Sequence, residues 1–356
     1  MPPTSKTRLL LLSDTHTVSP FPSSHKTTSP YRHPFLPAQI LLHAGDITKV
    51  GLLSEHKEML SLLKSHPAEL KIVIAGNHDI TLDEEYYNRV GWLRHRYRDG
   101  HGRDHLARLP EPNNNTDSSS SSSSSSSGAA AGSGLETPSA IKALYTGPEA
   151  REKGIVYMEE EIKTFTLPST GAKFTVYASP YTPEFCAWAF AYPRSEDRFN
   201  PPPASAANDG STETPKTPIP DYPGVDICLT HGPPFGVLDQ VVGSGASVGC
   251  EHLYRAVKRA RPALHVFGHI HEGYGARRVE WDASASASGM KTIEEIPWDR
   301  EDVMDERGAY VDLSSDSGKP LRRGEETVFV NASVVTVEYQ GLNAPWVVDL
   351  DLEVAE

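Results

Sequence analysis

The chain has 356 residues, 38% of them hydrophobic, with 34 Lys+Arg against 47 Asp+Glu and a formal net charge of −13 at pH 7. That length buries a sizeable core, and the acidic balance argues against nonspecific binding to long nucleic acid, which draws on lysine and arginine contacts to phosphates. No run approaches about 18 apolar residues, so no membrane span is expected, and three cysteines without a C-x-x-C pair point to thiols, buried at least in part, in a reducing compartment.

In chain order, five apolar runs each lead into a short polar island. RLLLL at 8–12 leads into SDTH at 13–16, QILLHA at 39–44 into GDIT at 45–48, and LKIVIA at 70–75 into GNHD at 76–79. VDICL at 225–229 leads into THGP at 230–233, and ALHVF at 263–267 into GHIH at 268–271. Each run is long enough for a buried strand and too short for a helix. The apolar part of MPPTSKTRLLLLSD is needed as the first strand and is too short for a secretory signal. The expected location is therefore cytoplasmic or nuclear.

Between the islands, KVGLLSEHKEMLSLLKSH at 49–66 and VGCEHLYRAVKRARP at 248–262 space apolar residues at helical intervals. Each predicts a crossover helix, and right-handed crossovers favour a parallel central region. A further helix is expected near TLDEEYYNRV at 81–90, and the final SVVTVEYQ and PWVVDLDL runs predict strands. The single distributed motif set argues for one domain over 1–356. Residues 113–139, with ten consecutive serines at 118–127, read as a disordered insertion. The stretches 200–221 and 281–320 read as irregular excursions.

The islands carry the chemistry. Asp14, His16, Asp46, Asn77, His231, His269 and His271 form a candidate ligand set of oxygen and imidazole donors with no thiolate. Any one island is an ordinary turn sequence, but five at strand ends converge on one sheet edge, where open α/β folds place their sites. Such donors suit manganese, zinc or iron(II), and seven are too many for one tetrahedral ion. Two divalent ions about 3.5 Å apart would use them all, with Asp46 as the natural bridge.

The ordered set D-x-H, GD, GNH-D, H and GH-x-H resembles the calcineurin-like metallophosphoesterases. KIVIAGNHDITLD at 71–83, THGPPFGVLD at 230–239, RPALHVFGHIHEGYG at 261–275 and NASVVTVEYQGLNAPWVVDL at 331–350 are similar to the metallophosphoesterase domain-containing branch related to the brain protein 239 group. The resemblance implies a four-layer αββα sandwich with two central mixed β-sheets flanked by helices. It implies that Asp14, His16 and His271 hold one ion, Asn77, His231 and His269 the other, and that Asp46 bridges them. It also places His78 beside the ions as a catalytic group that does not bind them.

The expected activity is dimetal-dependent hydrolysis of small phosphodiesters, cyclic nucleotides among them, by in-line attack of a metal-bound hydroxide. His78 would donate to the developing charge or protonate the leaving oxygen. Asp79 would either orient His78 and support its loop, or cap the helix that follows. A phosphomonoesterase or protein phosphatase, and a weakly active nucleotide-binding scaffold, remain as alternatives. The expected partner is a small phosphate ester or nucleotide, with no membrane.

Arg32 or His33, in the proline- and serine-rich loop at 17–35, are candidates to contact a substrate phosphate. His43 and His265 are expected to be structural, while His56, His66, His95, His101 and His105 are expected to face water. The aromatic stretch at 179–199 either packs against the domain or walls a nucleobase pocket.

Overall fold

A computed structural model describes residues 3–25, 28–96, 135–202, 217–282 and 289–355. In chain order the strands are β1 (Thr4–Leu12), β2 (Ile40–His43), β3 (Leu70–Val73), β4 (Ile155–Tyr157), β5 (Glu161–Thr166), β6 (Ala172–Ser179), β7 (Thr182–Pro183) and β8 (Ala191–Tyr192). They continue with β9 (Ile227–Thr230), β10 (Leu264–Phe267), β11 (Gly275–Trp281), β12 (Met290–Ile296), β13 (Ala309–Asp312), β14 (Glu326–Asn331) and β15 (Trp346–Val354). The helices are α1 (Leu53–Ser65), α2 (Glu84–Tyr86), α3 (Trp92–Arg96), α4 (Pro138–Thr146), α5 (Pro148–Glu152), α6 (Glu251–Ala260) and α7 (Arg300–Glu306).

Among the described residues, thirteen strands form one continuous mixed sheet in the order β12-β11-β14-β10-β9-β6-β15-β1-β2-β3-β4, with β13 added to β15 and β5 to β6, while β7 pairs with β8 alone. It divides into two halves, hereafter the two sheets, because β6 and β15 are joined only through the pairs Glu353 with Lys173 and Val354 with Ala172. β1 to β4 are mutually parallel, as are β6, β9, β10 and β14. The antiparallel pairings of β15 with β1 and of β11 with β14 make both sheets mixed.

Alternation along the strands builds the layers. Leu9 and Leu11 of β1 pack with Val176, Ile227, Val266 and Val330 in a core between the sheets. Leu10 and Leu12 point the other way, into a cluster with Met59, Leu60 and Leu63 of α1 and Tyr145 of α4. On the far side, Cys228, Phe267 and Phe329 meet Leu253, Ala256 and Val257 of α6. A two-residue period on strands and a near-four-residue period on helices thus give helix, sheet, sheet and helix in sequence. This is the four-layer sandwich that the motif resemblance implies.

Several expectations need correction. The stretch 281–320 contains β12, α7 and β13. β12 is an exposed edge strand whose residues pair with charges on neighbouring strands, such as Lys291 with Glu280 at 2.8 Å, so apolar patterning could not show it. α7 begins where Asp299 accepts from the amides of Glu301 and Asp302. Most of the expected insertion at 113–139 lies outside the described residues, as do 203–216 of the excursion at 200–221. The last two residues of 113–139, Pro138 and Ser139, open α4, since proline fits a first helical turn where no N–H is needed.

SVVTVEYQ is not a strand. Beyond β14 the chain makes a single bridge between Ser333 and Ser13, then turns back, with the side-chain amide of Asn343 donating to the carbonyls of Ser333 and Val335. The helix near 81–90 is broken into α2, a π-helical turn at Tyr87–Gly91 and α3.

Candidate metal centre

Each island follows the C-terminal end of its strand: β1, β2, β3, β9 and β10. Because these ends lie on the same edge of the two sheets, residues up to 257 positions apart in sequence meet there, and the structure brings all seven candidate ligands together. Donor atoms of Asp14, His16 and His271 lie within 4.8 Å of one another, as do those of Asp46, His231 and His269. His16 and Asp46 link the two groups, with His16 Nε2 3.5 Å from Asp46 Oδ2 and His231 Nε2 3.4 Å from Asp46 Oδ1. Asn77 Oδ1 stands 2.9 Å from His231 Nε2.

The local backbone is forced. Asp14, His16, Asp46 and His269 have φ of 53°, 42°, 50° and 66°, a left-handed region that costs a non-glycine residue about 1–3 kcal/mol. Hydrogen bonds between islands hold it: the Asp14 amide donates to the Gly45 carbonyl at 2.9 Å and the His16 amide to the Asp46 carbonyl at 3.0 Å. Two glycines permit the approach. A Cβ on Gly76 would collide with Asp46, and one on Gly268 with Asp14 and Ser13.

Ring orientation is set by backbone carbonyls, which only accept. Nδ1 of His231 lies 2.9 Å from the Ala44 oxygen and Nδ1 of His271 lies 3.1 Å from that of Thr336. Each Nδ1 therefore carries the proton, leaving Nε2 turned toward the carboxylates. Behind the islands, Thr15 Oγ1 lies 3.0 Å from His43 Nε2 and Thr230 Oγ1 lies 2.9 Å from His265 Nε2. The two buried strand histidines are thus structural, each holding the threonine of a neighbouring island.

Electrostatics test whether these residues fit metal ions. Burial pushes the carboxyl of Asp14 up, yet His271 and His231 hold it well below the usual carboxylate range. Burial likewise opposes, but His231 and His78 outweigh it, in keeping Asp46 low. His231 is pushed up to about 9, with burial opposing and Asp46 and Asp14 prevailing, and His271 also rises against burial because Asp14 faces it. Burial instead drives His16 and His269 down to about 3. Two buried carboxylates thus draw protons onto the nearest imidazoles. Nε2 atoms of His16 and His271 face each other at 3.3 Å, close enough to share a proton or a cation. The donor set fits divalent metal.

His78 is partly exposed at the rim. Its amide donates to Asp46 Oδ1 at 2.8 Å and its Nδ1 donates to the Lys49 carbonyl at 2.8 Å, so Nε2 is the free nitrogen. It also forms a donor group with His16 and Asp46. Asp79 neither caps the following helix nor touches the His78 ring, but it does support the loop that carries His78. Its carboxylate accepts from the amides of Ile47, Thr48 and Gly76 and from the Thr48 hydroxyl, and is fully buried. It ties the second island to the third; Lys49 orients His78, and Asp83 caps α2. Burial, with the nearby Asp46, pushes Asp79 up to about 7 against these donors.

Arg32, His56 and His66 depart from the sequence expectation by being buried. Arg32 is buried, donating to the carbonyls of Ser29 and Asp305, so it does not face a substrate; His33 is exposed beside Ser19, Glu58 and Leu62. His56 is buried between Tyr145 Oη at 2.8 Å and Thr81 Oγ1 at 2.9 Å, and His66 is buried against the Leu36 carbonyl at 3.0 Å. The burial of His56 follows from α4 covering α1, which α1's own periodicity does not reveal. His95 is half-buried, 2.6 Å from the Val50 carbonyl; His101 and His105 lie outside the described residues. Cys186 is exposed, whereas Cys228 and Cys250 are buried.

Most of the aromatic stretch packs inward, with Phe185 exposed. Phe190, Tyr192 and Phe199 are buried, and the Arg198 guanidinium lies 3.8 Å from the Tyr181 ring centre. Trp188 stacks on His78, and the Arg94 guanidinium sits 3.5 Å from the indole centre. Sequence reasoning missed Ser333, whose hydroxyl donates to Asp14 Oδ2 at 2.7 Å, and Tyr339, whose ring meets His16, His271 and His78. Both lie in the segment read as a strand.

A four-layer sandwich with carboxylates and imidazoles gathered at one edge of its sheets defines a metal-binding hydrolase class. Residues 7–128 match the family model described as calcineurin-like phosphoesterase. The chain belongs to the calcineurin-like phosphoesterase family, whose members are metal-dependent phosphoester hydrolases. It is 30% identical over 352 residues to metallophosphoesterase domain-containing protein 1 of Homo sapiens, covering 98% of this chain and 72% of that protein, with the same figures for the Mus musculus protein. A probable rhamnogalacturonate lyase C of Emericella nidulans is 29% identical over 280 residues, covering 77% of this chain but 18% of that protein. No helix among the described residues is long and apolar enough to cross a membrane.

Proposed function

We propose that this chain is a dimetal phosphodiesterase acting on small phosphodiesters, cyclic nucleotides among them. The observation that carries the dinuclear reading is the pair of donor groups, Asp14 with His16 and His271, and Asp46 with His231 and His269, joined where His16 meets Asp46. Asp14, His16 and His271 would hold one ion, Asn77, His231 and His269 the other, and Asp46 would bridge. Oxygen and imidazole donors without thiolate favour manganese, zinc or iron(II). When bound, such ions withdraw charge from a phosphoryl group and acidify a water.

The chain's own residues do the rest. Asp14, His16, Asp46, Asn77 and His231 are buried, whereas His78, His269 and His271 are partly exposed, so an ester approaches from the side where His78 stands. With Nδ1 fixed on Lys49, His78 Nε2 is the nitrogen that reaches a phosphoryl or leaving oxygen. Preference for diesters rests on the likeness of residues 71–83, 230–239, 261–275 and 331–350 to the branch related to brain protein 239, and the net charge of −13 disfavours polynucleotides. Three unpaired cysteines support a reducing compartment, cytoplasmic or nuclear.

The test is hydrolysis of bis(p-nitrophenyl) phosphate and of cyclic nucleotides by protein reconstituted with manganese, zinc or iron(II), with His78→Ala as control. Metal-dependent turnover that falls about 10²- to 10⁴-fold in the control while both ions are retained is the expected result. Hydrolysis of monoesters or phosphopeptides alone would replace this reading with a phosphatase. Nucleotide held by two ions without turnover would replace it with a binding role.

A further inference from the structure

Beyond β14 the chain crosses the mouth of the metal centre as an irregular loop. It is fastened there to the site itself: the Val334 amide donates to the Ser13 carbonyl at 3.0 Å, Ser333 Oγ donates to Asp14, and His271 Nδ1 donates to the Thr336 carbonyl. The loop closes on itself through the Thr336 amide to Gln340, at 2.9 Å, and the Tyr339 amide to Thr336, at 2.8 Å. Its position is thereby slaved to that of Asp14 and His271.

At its tip Tyr339 is held with φ of 58°, a conformation unfavourable for an aromatic side chain that the surrounding bonds must hold in place. Its ring lies edge-on to His16, with centroids 4.8 Å apart, and to His271, at 5.4 Å, and reaches His78 at 6.2 Å. The residue remains 45% exposed, and its hydroxyl has no hydrogen-bond partner among the described residues. A tyrosine fixed against three site histidines with a free hydroxyl is a preorganised donor at the place where an anion must bind.

We propose that Tyr339 is a substrate-contacting residue, its phenol donating a hydrogen bond to a phosphoryl oxygen of the ester bound beside His78. This deepens the phosphodiesterase reading and rests on it for the identity of the substrate. The neutral phenol adds a directional donor from the loop side, and the ring restricts the leaving group to a path that avoids the His16 and His271 edges.

The experiment compares wild type, Tyr339→Phe and Tyr339→Ala, each manganese-loaded and full length, by turnover of bis(p-nitrophenyl) phosphate and by affinity for inorganic phosphate measured calorimetrically. Phenylalanine keeps the ring packing, so a purely structural tyrosine predicts no change. The expected result is that Tyr339→Phe loses about 10- to 100-fold in kcat/KM, the range of one hydrogen bond to a charged group, and binds phosphate more weakly. Metal content and melting temperature should stay at wild-type values. Tyr339→Phe with wild-type phosphate affinity and kcat/KM overturns the proposal while leaving the enzyme reading intact. An inactive wild type that binds phosphate through Tyr339 overturns the enzyme reading instead.

Discussion

The imidazole of His78 stacks on the indole of Trp188, with ring centroids 4.1 Å apart and planes inclined by 24°. A guanidinium from Arg94 lies 3.5 Å from the same indole and is itself held by the carbonyls of Cys186 and Ala187. One face of His78 is therefore fixed by an aromatic platform, and its edge by the Lys49 carbonyl. The indole thus contacts His78 and Arg94. Truncation to alanine should lower turnover about 2- to 10-fold, the equivalent of one aromatic pair, with metal content unchanged and recovery in Trp188→Phe. Wild-type turnover in Trp188→Ala would mean that Lys49 alone positions the ring.

Asp79 should behave as a structural residue. Removing its carboxylate leaves four donors on Ile47, Thr48 and Gly76 without their acceptor, a loss of about 3 kcal/mol or more. Denaturant unfolding of Asp79→Ala should show that loss, together with weaker metal retention, because both tethered islands carry candidate ligands. If Asp79→Ala unfolds like wild type and loses only turnover, Asp79 acts in the chemistry after all.

Gly268→Ala should empty the centre of metal. The added Cβ would overlap the Asp14 carboxylate and the Ser13 hydroxyl, so Asp14 must shift or the turn carrying His269 and His271 must open. Elemental analysis after reconstitution should find fewer ions per chain than in wild type. Full metal content would show that the turn can move without cost to the site.

Away from the site, the Asp349 carboxylate accepts from Arg8 at 2.7 and 2.8 Å and from the Tyr310 hydroxyl at 2.7 Å. Burial pushes its pKa up, but these partners hold it below the usual carboxylate value. Because the folded pKa lies below the unfolded one, its stabilisation is complete above about pH 4 and is lost as pH falls through the folded value. Asp349→Asn should cost about 1–3 kcal/mol at neutral pH and flatten the acid side of the melting curve. An unchanged acid limb would assign acid sensitivity to other carboxylates.

The sequence by itself determined the strands that lead into the islands, two crossover helices, the ligand types and the side of the sheets on which they lie. These are local matters: apolar runs, helical spacing and polar residues at strand ends follow from short-range geometry. Tertiary structure decided what depends on partners distant in sequence. Asp79 reads equally well as a helix cap or a support until Ile47 and Thr48 are seen to donate to it, 32 and 31 residues away. β12 reads as an acidic irregular stretch because its residues face water and are ordered by pairing with β11. Tyr339 reads as part of a strand because its segment is β-branched and apolar, and only the bonds to Ser13, Asp14 and His271 turn that segment across the metal centre. A hydrogen bond to a remote residue leaves no periodicity in the chain, so the supports and the rim of the site emerge only once the two sheets have brought their ends together.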